Sequence, residues 1–200
     1  MTIDLTELQL DALRELANIA SGTAANALSQ MLAREVGLNV PRALALPLAD
    51  AVEACGKPED EVAGVVIPVE GDLDAQVLLL IPPRHTERLC QLLGVEPHTE
   101  VGDSALCEIG NILGTAYLNG LASMTGLELL PSLPELHVDM LGAIVATLLA
   151  QTAGSIDVAL VLESELDVAR EPCAISFLLL PTSGGISGLL APLGLAESTG

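Results

Sequence analysis

The chain contains an internal repeat, and this constrains its fold more than any other feature. Sliding residues 11–31 onto residues 104–124, an offset of 93, gives eight identities in 21 positions. Chance alone would give about two, and a repeat of this kind marks a duplicated structural unit. A similar order of helix-like and strand-like segments follows each copy, so the repeats extend over about residues 8–96 and 101–196.

Hydrophobic periodicity predicts the elements of each repeat. After the first repeated helix we expect a strand over 38–46, a helix over 48–55, strands over 63–69 and 76–81, and a helix over 83–93. After the second we expect a strand over 128–138, a helix over 141–152, strands over 156–162 and 174–180, and a helix over 187–195. Gly71-Asp72 and residues 165–172 are predicted to form turns or loops.

Neither half can bury its apolar faces alone, so the halves are expected to share one sheet. The prediction is an α/β fold with a single domain over residues 1–200. It consists of two α-β-α-β-β-α repeats related by a pseudo-two-fold axis, with a continuous sheet and both repeated helices exposed on one side. Because the duplicated chain supplies internally what a dimer of half-length units would supply, we expect a monomer.

Composition excludes several classes of protein. Half of the residues are hydrophobic, which argues against disorder even at a net charge of −20. Only 7 basic residues stand against 27 acidic ones, which argues against binding to nucleic acid or to anionic membranes. The acidity is compatible with a basic protein partner.

The sequence indicates a cytoplasmic protein. It shows no secretory signal, and no apolar run approaches the roughly 18 residues of a membrane helix, so no membrane insertion is expected. The four cysteines are widely spaced without a CxxC pair, which favours reduced thiols. Neither the cysteines nor the three histidines have metal-ligand spacing, so no metal site is predicted.

The first repeated helix carries a polar face opposite its apolar stripe. At 100° per residue, Asp11, Glu15, Asn18 and Gly22 fall on one side of the helix. Spacings of four and three residues make the first three of these side chains surface neighbours. The core-facing stripe comprises Leu13, Leu16, Ala17, Ala20, Ala24, Ala27, Leu28 and Met31.

The second repeated helix presents the same face with Ser104, Glu108, Asn111 and Gly114. The shared pattern is Asp or Ser, three residues, Glu, two residues, Asn. Duplication by descent and a working surface both explain such a pattern. Glycine inside a helix costs about 1 kcal/mol relative to alanine. We therefore expect the two glycines to keep the surface flat for a docking partner, and both asparagines to be exposed.

Glutamate and asparagine together favour the positioning of a water molecule. Asparagine has no basic nitrogen, but its amide can hold and aim a water. That suffices for phosphoryl transfer through a loose transition state. The chain offers no phosphate-binding loop or cation cradle, so a protein substrate would have to bring its own metal and lysine. A phosphorylated response regulator has this chemistry.

The two motifs resemble the signature helices of the CheC family, phosphatases of the phosphorylated chemotaxis regulator CheY. The resemblance rests on DALRELANI at residues 11–19 and SALCEIGNILG at residues 104–114, which continues through YLNGLASMTG at residues 117–126. The motif spacing and chain length extend it over nearly the whole sequence. In one departure, Ala17 stands where the family often has glycine before the first asparagine.

The resemblance implies a role for each matching residue. Asn18 and Asn111 would enter the regulator's active site and orient the attacking water, and Glu15 and Glu108 would pair with a regulator lysine. Asp11 and Ser104 would support docking. Mg²⁺ would belong to the CheY-like regulator, so the chain would have no cofactor of its own.

Two further expectations come from the resemblance. A CheD-like deamidase is a candidate activating partner. The alternative function is a non-catalytic adaptor that binds a response regulator or CheD, similar to modules of the flagellar switch. Retention of both glutamates and both asparagines favours the enzyme.

Overall fold

A computed structural model describes residues 6–152, 156, 158–168 and 171–182. The first repeat contains α1 (Glu7–Leu32), β1 (Val36–Pro47), α2 (Leu48–Cys55), β2 (Glu61–Gly71), β3 (Ala75–Ile81) and α3 (Pro83–Leu93). The second contains α4 (Glu100–Thr125), β4 (Leu129–Pro131), β5 (Glu135–Met140), α5 (Leu141–Gln151), β6 (Val158–Val168) and β7 (Glu171–Pro181). The helix predicted over 187–195 lies outside the described residues.

The seven strands form one antiparallel sheet in a mixed α/β fold, which confirms the predicted fold class. The strand order is β1-β6-β7-β3-β2, after which both β4 and β5 pair with β2. Strands of both repeats are therefore interleaved within the same sheet: β6 and β7 of the second repeat lie between β1 and β3 of the first. The strand order has a two-fold character. If β1 is exchanged with β4 and β5, β2 with β6, and β3 with β7, the strand order is unchanged when it is read from the opposite edge of the sheet.

Two apolar layers cover the two faces of the sheet. Helices α1, α3 and α4 pack on one face through a core that includes Leu13, Leu89 and Leu113. Helices α2 and α5 pack on the other face through a core that includes Val52 and Ile144. The two repeated helices thus lie in the same layer and contact each other.

The two aromatic residues meet inside the α1–α4 layer. The rings of Tyr117 and Phe177 pack edge to face with their centroids 4.9 Å apart. The Tyr117 hydroxyl shares a 2.9 Å hydrogen bond with Ser164 of β6. A buried phenol hydroxyl needs a hydrogen-bond partner of this kind. The bond also joins α4 to β6, the strand beside β1.

Local sequence determines where the long helices begin and end. Thr6 and Gln9 form a reciprocal capping box at the start of α1. The Thr99 hydroxyl accepts a hydrogen bond from the N–H of Gly102 at the start of α4, and Gly126 ends α4 in the left-handed conformation. The two repeated helices consequently have the same length, 26 residues each.

Two sequence predictions need correction. The loop predicted over 165–172 is wrong, because β6 continues to Val168 and β7 begins at Glu171. Leu166 pairs with Cys173 across this hairpin, and both are buried. The single strand predicted over 128–138 is split into β4 and β5, since Pro131 and Pro134 cannot donate backbone hydrogen bonds.

The cysteines are all free thiols, as expected for reduced residues. Burial raises the pKa of Cys55 to about 11 and that of Cys173 to about 12, which keeps both thiols protonated at neutral pH. No helix in the described parts of the chain has the length and apolarity needed to cross a bilayer.

Candidate functional site

The polar faces of α1 and α4 look toward opposite edges of the sheet. Asn18 contacts β1, the strand at one edge. Cys107, one turn before Asn111, contacts the backbone of Leu136 in β5, at the other edge. The structure thus brings each glutamate together with the asparagine of its own helix, and it keeps the two Glu/Asn pairs apart.

The glutamates and asparagines differ in exposure. Glu15 and Glu108 are exposed, whereas Asn18 and Asn111 are half-buried. Each carboxylate can therefore meet a cation of a partner without rearrangement. Both asparagines are less exposed than expected, and for Asn18 the cause is a contact with β1, the strand that follows its helix.

The Asn18 amide is bonded to the backbone of β1. Its Oδ1 accepts a hydrogen bond from the Val40 N–H at 2.9 Å, and its Nδ2 donates to the Val40 carbonyl oxygen at 3.2 Å. The same nitrogen also lies 3.0 Å from the Arg14 carbonyl oxygen. Asn18 therefore uses both ends of its amide within the folded chain.

Asn111 makes no equivalent contact. Within the described chain, the hydrogen bonding of its amide is limited to a long 3.4 Å bond that Oδ1 accepts from the Thr115 hydroxyl. The Nδ2 group keeps its donors available, and the oxygen can accept a further bond. Asn111 can thus hold a water molecule or a ligand without breaking a contact of the fold.

A β-bulge explains why β1 reaches Asn18. Val40 and Pro41 lie at a register shift between Asn39 and Arg42, where β1 has one residue more than β6. The extra residue leaves backbone groups outside the strand ladder, and Asn18 pairs with them. Val40 is fully buried in the core.

A second hydrogen-bonded contact between helix and strand in the first repeat has no counterpart on α4. The Ser21 hydroxyl lies 3.2 Å from the Leu38 carbonyl oxygen and 2.7 Å from that of Asn18. At the offset of 93 residues, the position of Ser21 is occupied by Gly114, which has no side chain to bind the strand. Helix α1 is consequently tied to its strand more closely than α4 is.

The two glycines of the predicted docking surface have different roles. Gly22 is exposed, and a β-carbon added there would meet nothing within 4 Å. Gly114 is buried, and a β-carbon there would lie 2.6 Å from Ile67 Cδ1. The prediction that Gly114 lies on the docking surface is therefore wrong. It lets α4 pack closely on β2, as does Gly110 against Val65.

The remaining predicted residues are accessible but differ in charge. Asp11 is exposed and forms a 3.0 Å salt bridge with Arg14, which puts a cation on the α1 face. Ser104 is exposed on α4. Residues 100–111 include three acidic side chains and no basic one. The α4 face is thus the more favourable one for a cationic partner.

Val40 and Thr115 are hydrogen-bonded to the asparagines, and periodicity did not reveal either contact. The repeat offset gives a partial signal for both, since it aligns Val40 with Leu133 and Thr115 with Gly22. Among the described residues, no group of three or more His, Cys, Asp and Glu side chains is arranged to hold a metal ion. The site as built can bind a cation through glutamate and orient a water through asparagine.

The chain is similar in sequence to known proteins. Residues 8–44 match the CheC-like family. The chain is 36% identical over 150 residues to the CheY-P phosphatase CheC of Bacillus subtilis (strain 168). The aligned region covers 71% of this chain and 72% of that protein.

Solved structures share the fold at low sequence identity. Thermotoga maritima FliY superimposes with a TM-score of 0.73 at 16% identity, covering 98% of this chain and 100% of that one. The FliM middle domain from H. pylori has a TM-score of 0.70 at 10% identity, covering 94% and 99%. At these identities the likeness concerns the fold alone.

Proposed function

Because this chain belongs to the CheC-like family, we propose that it is a phosphatase that hydrolyses the aspartyl phosphate of a CheY-like response regulator. The observation that carries the proposal is the Glu108/Asn111 pair on α4. The carboxylate is exposed, and the amide one turn away keeps its donors available. The relative named a CheY-P phosphatase supports the choice of substrate.

The chemistry requires little from this chain beyond positioning. The oxygen of a water attacks phosphorus, the bond between phosphorus and the aspartyl oxygen breaks, and the products are inorganic phosphate and a free carboxylate. A carboxylate leaves without being protonated, and a loose transition state gains little from a strong base. Asn111 would accept a hydrogen bond from the water and hold it in line.

Glu108 would fix the regulator in place. We propose that its carboxylate pairs with a lysine of the regulator near the phosphorylated aspartate, with Ser104 beside it at the contact. Holding the two reactants in this orientation lowers the entropic part of the barrier. The Mg²⁺ of the reaction is proposed to be bound by the regulator and to neutralise charge on the phosphoryl group.

The α1 pair, Glu15 and Asn18, is proposed as a second site that works at a cost. Asn18 can orient a water only after its amide leaves Val40, which breaks two hydrogen bonds. Asp11 would contribute to docking there, although Arg14 offsets its charge. We therefore expect the α4 face to provide most of the turnover.

Several broader features belong to the same proposal. The protein would act in chemotaxis signalling in the cytoplasm, as a monomer, with a CheD-like deamidase as a possible activating partner. Residues 1–200 would form one domain whose halves are related by a pseudo-two-fold axis. The strand order, which reads the same after exchange of the repeats, supports that relationship.

The second candidate function is an adaptor that binds a regulator, or a CheD-like protein, without catalysis. The hydrogen bonds that hold Asn18 on β1 favour this alternative for the α1 face. The shared fold with FliM and FliY is compatible with it. An adaptor would bind the phosphorylated regulator and leave its lifetime unchanged.

Decay of an acyl-phosphorylated response regulator, measured with Mg²⁺, tests the proposal. The variants are Asn18→Ala, Asn111→Ala and both together, assayed against the host's own regulators. We expect wild type to accelerate decay, Asn111→Ala to reduce that acceleration about tenfold or more, and the double variant to abolish it. Asn18→Ala should cause the smaller loss.

Asn119→Ala provides the matched control, because Asn119 is an exposed asparagine on the same helix, two turns beyond Asn111. It should retain wild-type turnover. Binding of the phosphorylated regulator without acceleration would establish the adaptor instead. If wild type neither bound nor dephosphorylated any regulator, the family resemblance would extend to the fold only.

A further inference from the structure

Leu133 is the most exposed large hydrophobic residue in the described chain, at 85% exposure. It lies in residues 132–134, the connection between β4 and β5, which we call the β4–β5 bulge. The register against β2 shifts by one residue there, from Pro131 opposite Val69 to Glu135 opposite Val66. At the repeat offset, Leu133 corresponds to Val40, which is fully buried.

The register of α4 against β5, together with the repeat offset, relates this leucine to Asn111. Cys107 contacts the backbone of Leu136. One turn further along α4 is Asn111, and Leu133 lies three residues before Leu136, just ahead of β5. In the first repeat the corresponding pair, Asn18 and Val40, is hydrogen-bonded. Leu133 therefore stands at the flank of the α4 face, but it is turned outward instead of into the core.

The bulge holds Leu133 firmly in this position. Pro131 and Pro134 restrict the backbone on both sides of it. The N–H of Ser132 donates a 2.8 Å hydrogen bond to the Pro68 carbonyl oxygen. A backbone segment that is already fixed loses little conformational entropy when a partner covers it. An outward leucine contributes nothing to the core, so it is available for contact with a partner.

We propose that Leu133 is a specificity-determining contact of the α4 face, packing against an apolar surface of the phosphorylated regulator when Asn111 reaches the phosphate. This inference rests on the proposed function. The regulator surface would combine a cation opposite Glu108 with an apolar patch opposite Leu133. On the α1 face the corresponding residue, Val40, is in the core, and the exposed apolar side chains there are Leu8 and Ile19 of the helix itself. An apolar contact from the strand side would thus be particular to the α4 face.

The test compares Leu133→Ser with Leu130→Ser and Leu133→Met. Leu130 is 52% exposed and lies in β4, where it pairs with Glu70. Its neighbour Leu129 belongs to the core beneath α1 and α4, so Leu130 lies on the other face of the sheet. Dephosphorylation rates are measured over a range of regulator concentrations. Affinity for the BeF₃⁻-activated regulator is measured in parallel, and thermal unfolding confirms that each variant folds.

Leu133→Ser should raise KM, and weaken regulator binding, about tenfold, with kcat within about twofold of wild type. Leu133→Met should restore most of the affinity, and Leu130→Ser should match wild type. Equal KM values for Leu133→Ser and wild type would overturn the inference and leave the phosphatase function standing. Equal losses in both serine variants would also overturn it. A wild-type protein that neither binds nor dephosphorylates the regulator would overturn the proposed function, and the inference with it.

Discussion

The side-chain amide of Asn18 is paired at both ends with the backbone of Val40, whereas Asn111, its counterpart on α4, has no such pairing within the described chain. The sequence repeat makes these two residues equivalent, but the hydrogen bonding of their side-chain amides differs. One completes the hydrogen bonding of a β-bulge, and the other can receive a ligand. This difference follows from the β1 bulge, which leaves the backbone groups of Val40 for Asn18 to bind.

Replacing Asn18 should affect stability more than replacing Asn111 does. Asn18→Ala leaves the N–H and carbonyl of fully buried Val40 without partners, which costs about 1–3 kcal/mol. Asn111→Ala removes one long bond at a half-buried site and should change the free energy of unfolding by less than about 0.5 kcal/mol. Urea denaturation of both variants measures the difference. Equal destabilisation would show that the Val40 contact contributes nothing.

Charge reversal should weaken regulator binding more on α4 than on α1. Glu108→Lys turns an attraction for a regulator cation into a repulsion and should lower affinity about tenfold at low salt. Glu15→Lys should have a smaller effect, because Arg14 already lies on that face. Titration against a BeF₃⁻-activated regulator provides the measurement.

Glu53→Lys is the charge-matched control, since Glu53 is exposed on α2 in the opposite layer. It changes the net charge by the same amount far from both faces. If Glu53→Lys weakened binding as much as Glu108→Lys did, overall charge would be responsible and no specific pairing on α4 would be needed.

Glycines at two helical positions should respond oppositely to alanine. Gly22→Ala adds a methyl group in open space and should stabilise the protein by up to about 1 kcal/mol. Gly110→Ala places a β-carbon 2.6 Å from Val65 Cγ1, on a stiff β-branched residue, and should destabilise by about 1–3 kcal/mol. Thermal unfolding of the two variants measures whether each substitution raises or lowers stability. A stabilising Gly110→Ala would mean that α4 can move away from β2 freely.

The helices and most strands could be predicted because their signals are local. The bounds of α2 and α3 match the predicted ones, since Pro47 precedes one helix and Gly94 ends the other. The end of β6 was missed although Glu165, Leu166, Asp167 and Val168 alternate between exposed and buried positions. Pairing of these residues with β7 extends the strand into a segment that was predicted to form a loop.

The state of each asparagine could not be predicted, because it depends on a contact between distant residues. Asn18 and Val40 are 22 residues apart in the sequence. Helical periodicity places Asn18 on the polar face and gives no information about a bulge in the next strand. The same limit applies to Gly114, which periodicity assigns to the surface and which the packing of α4 on β2 buries.

The stability of the protein should fall in mild acid because of His85. Its Nδ1 accepts a 2.7 Å hydrogen bond from the N–H of Ala174 in β7, and the Arg84 guanidinium lies beside the ring. Burial, and secondly the Arg84 charge, lower the pKa of His85 below its usual 6.5. The unfolded chain then binds the proton more readily than the folded one, so this contribution is present above pH 6.5. It is lost as the pH falls from 6.5 toward the lower pKa of the folded state.

His85→Gln keeps an acceptor for Ala174 but cannot titrate, so its loss of stability between pH 7.5 and about pH 5 should be smaller than that of wild type. Urea denaturation of both proteins across that range gives the comparison, and parallel curves would show that His85 does not couple protonation to folding.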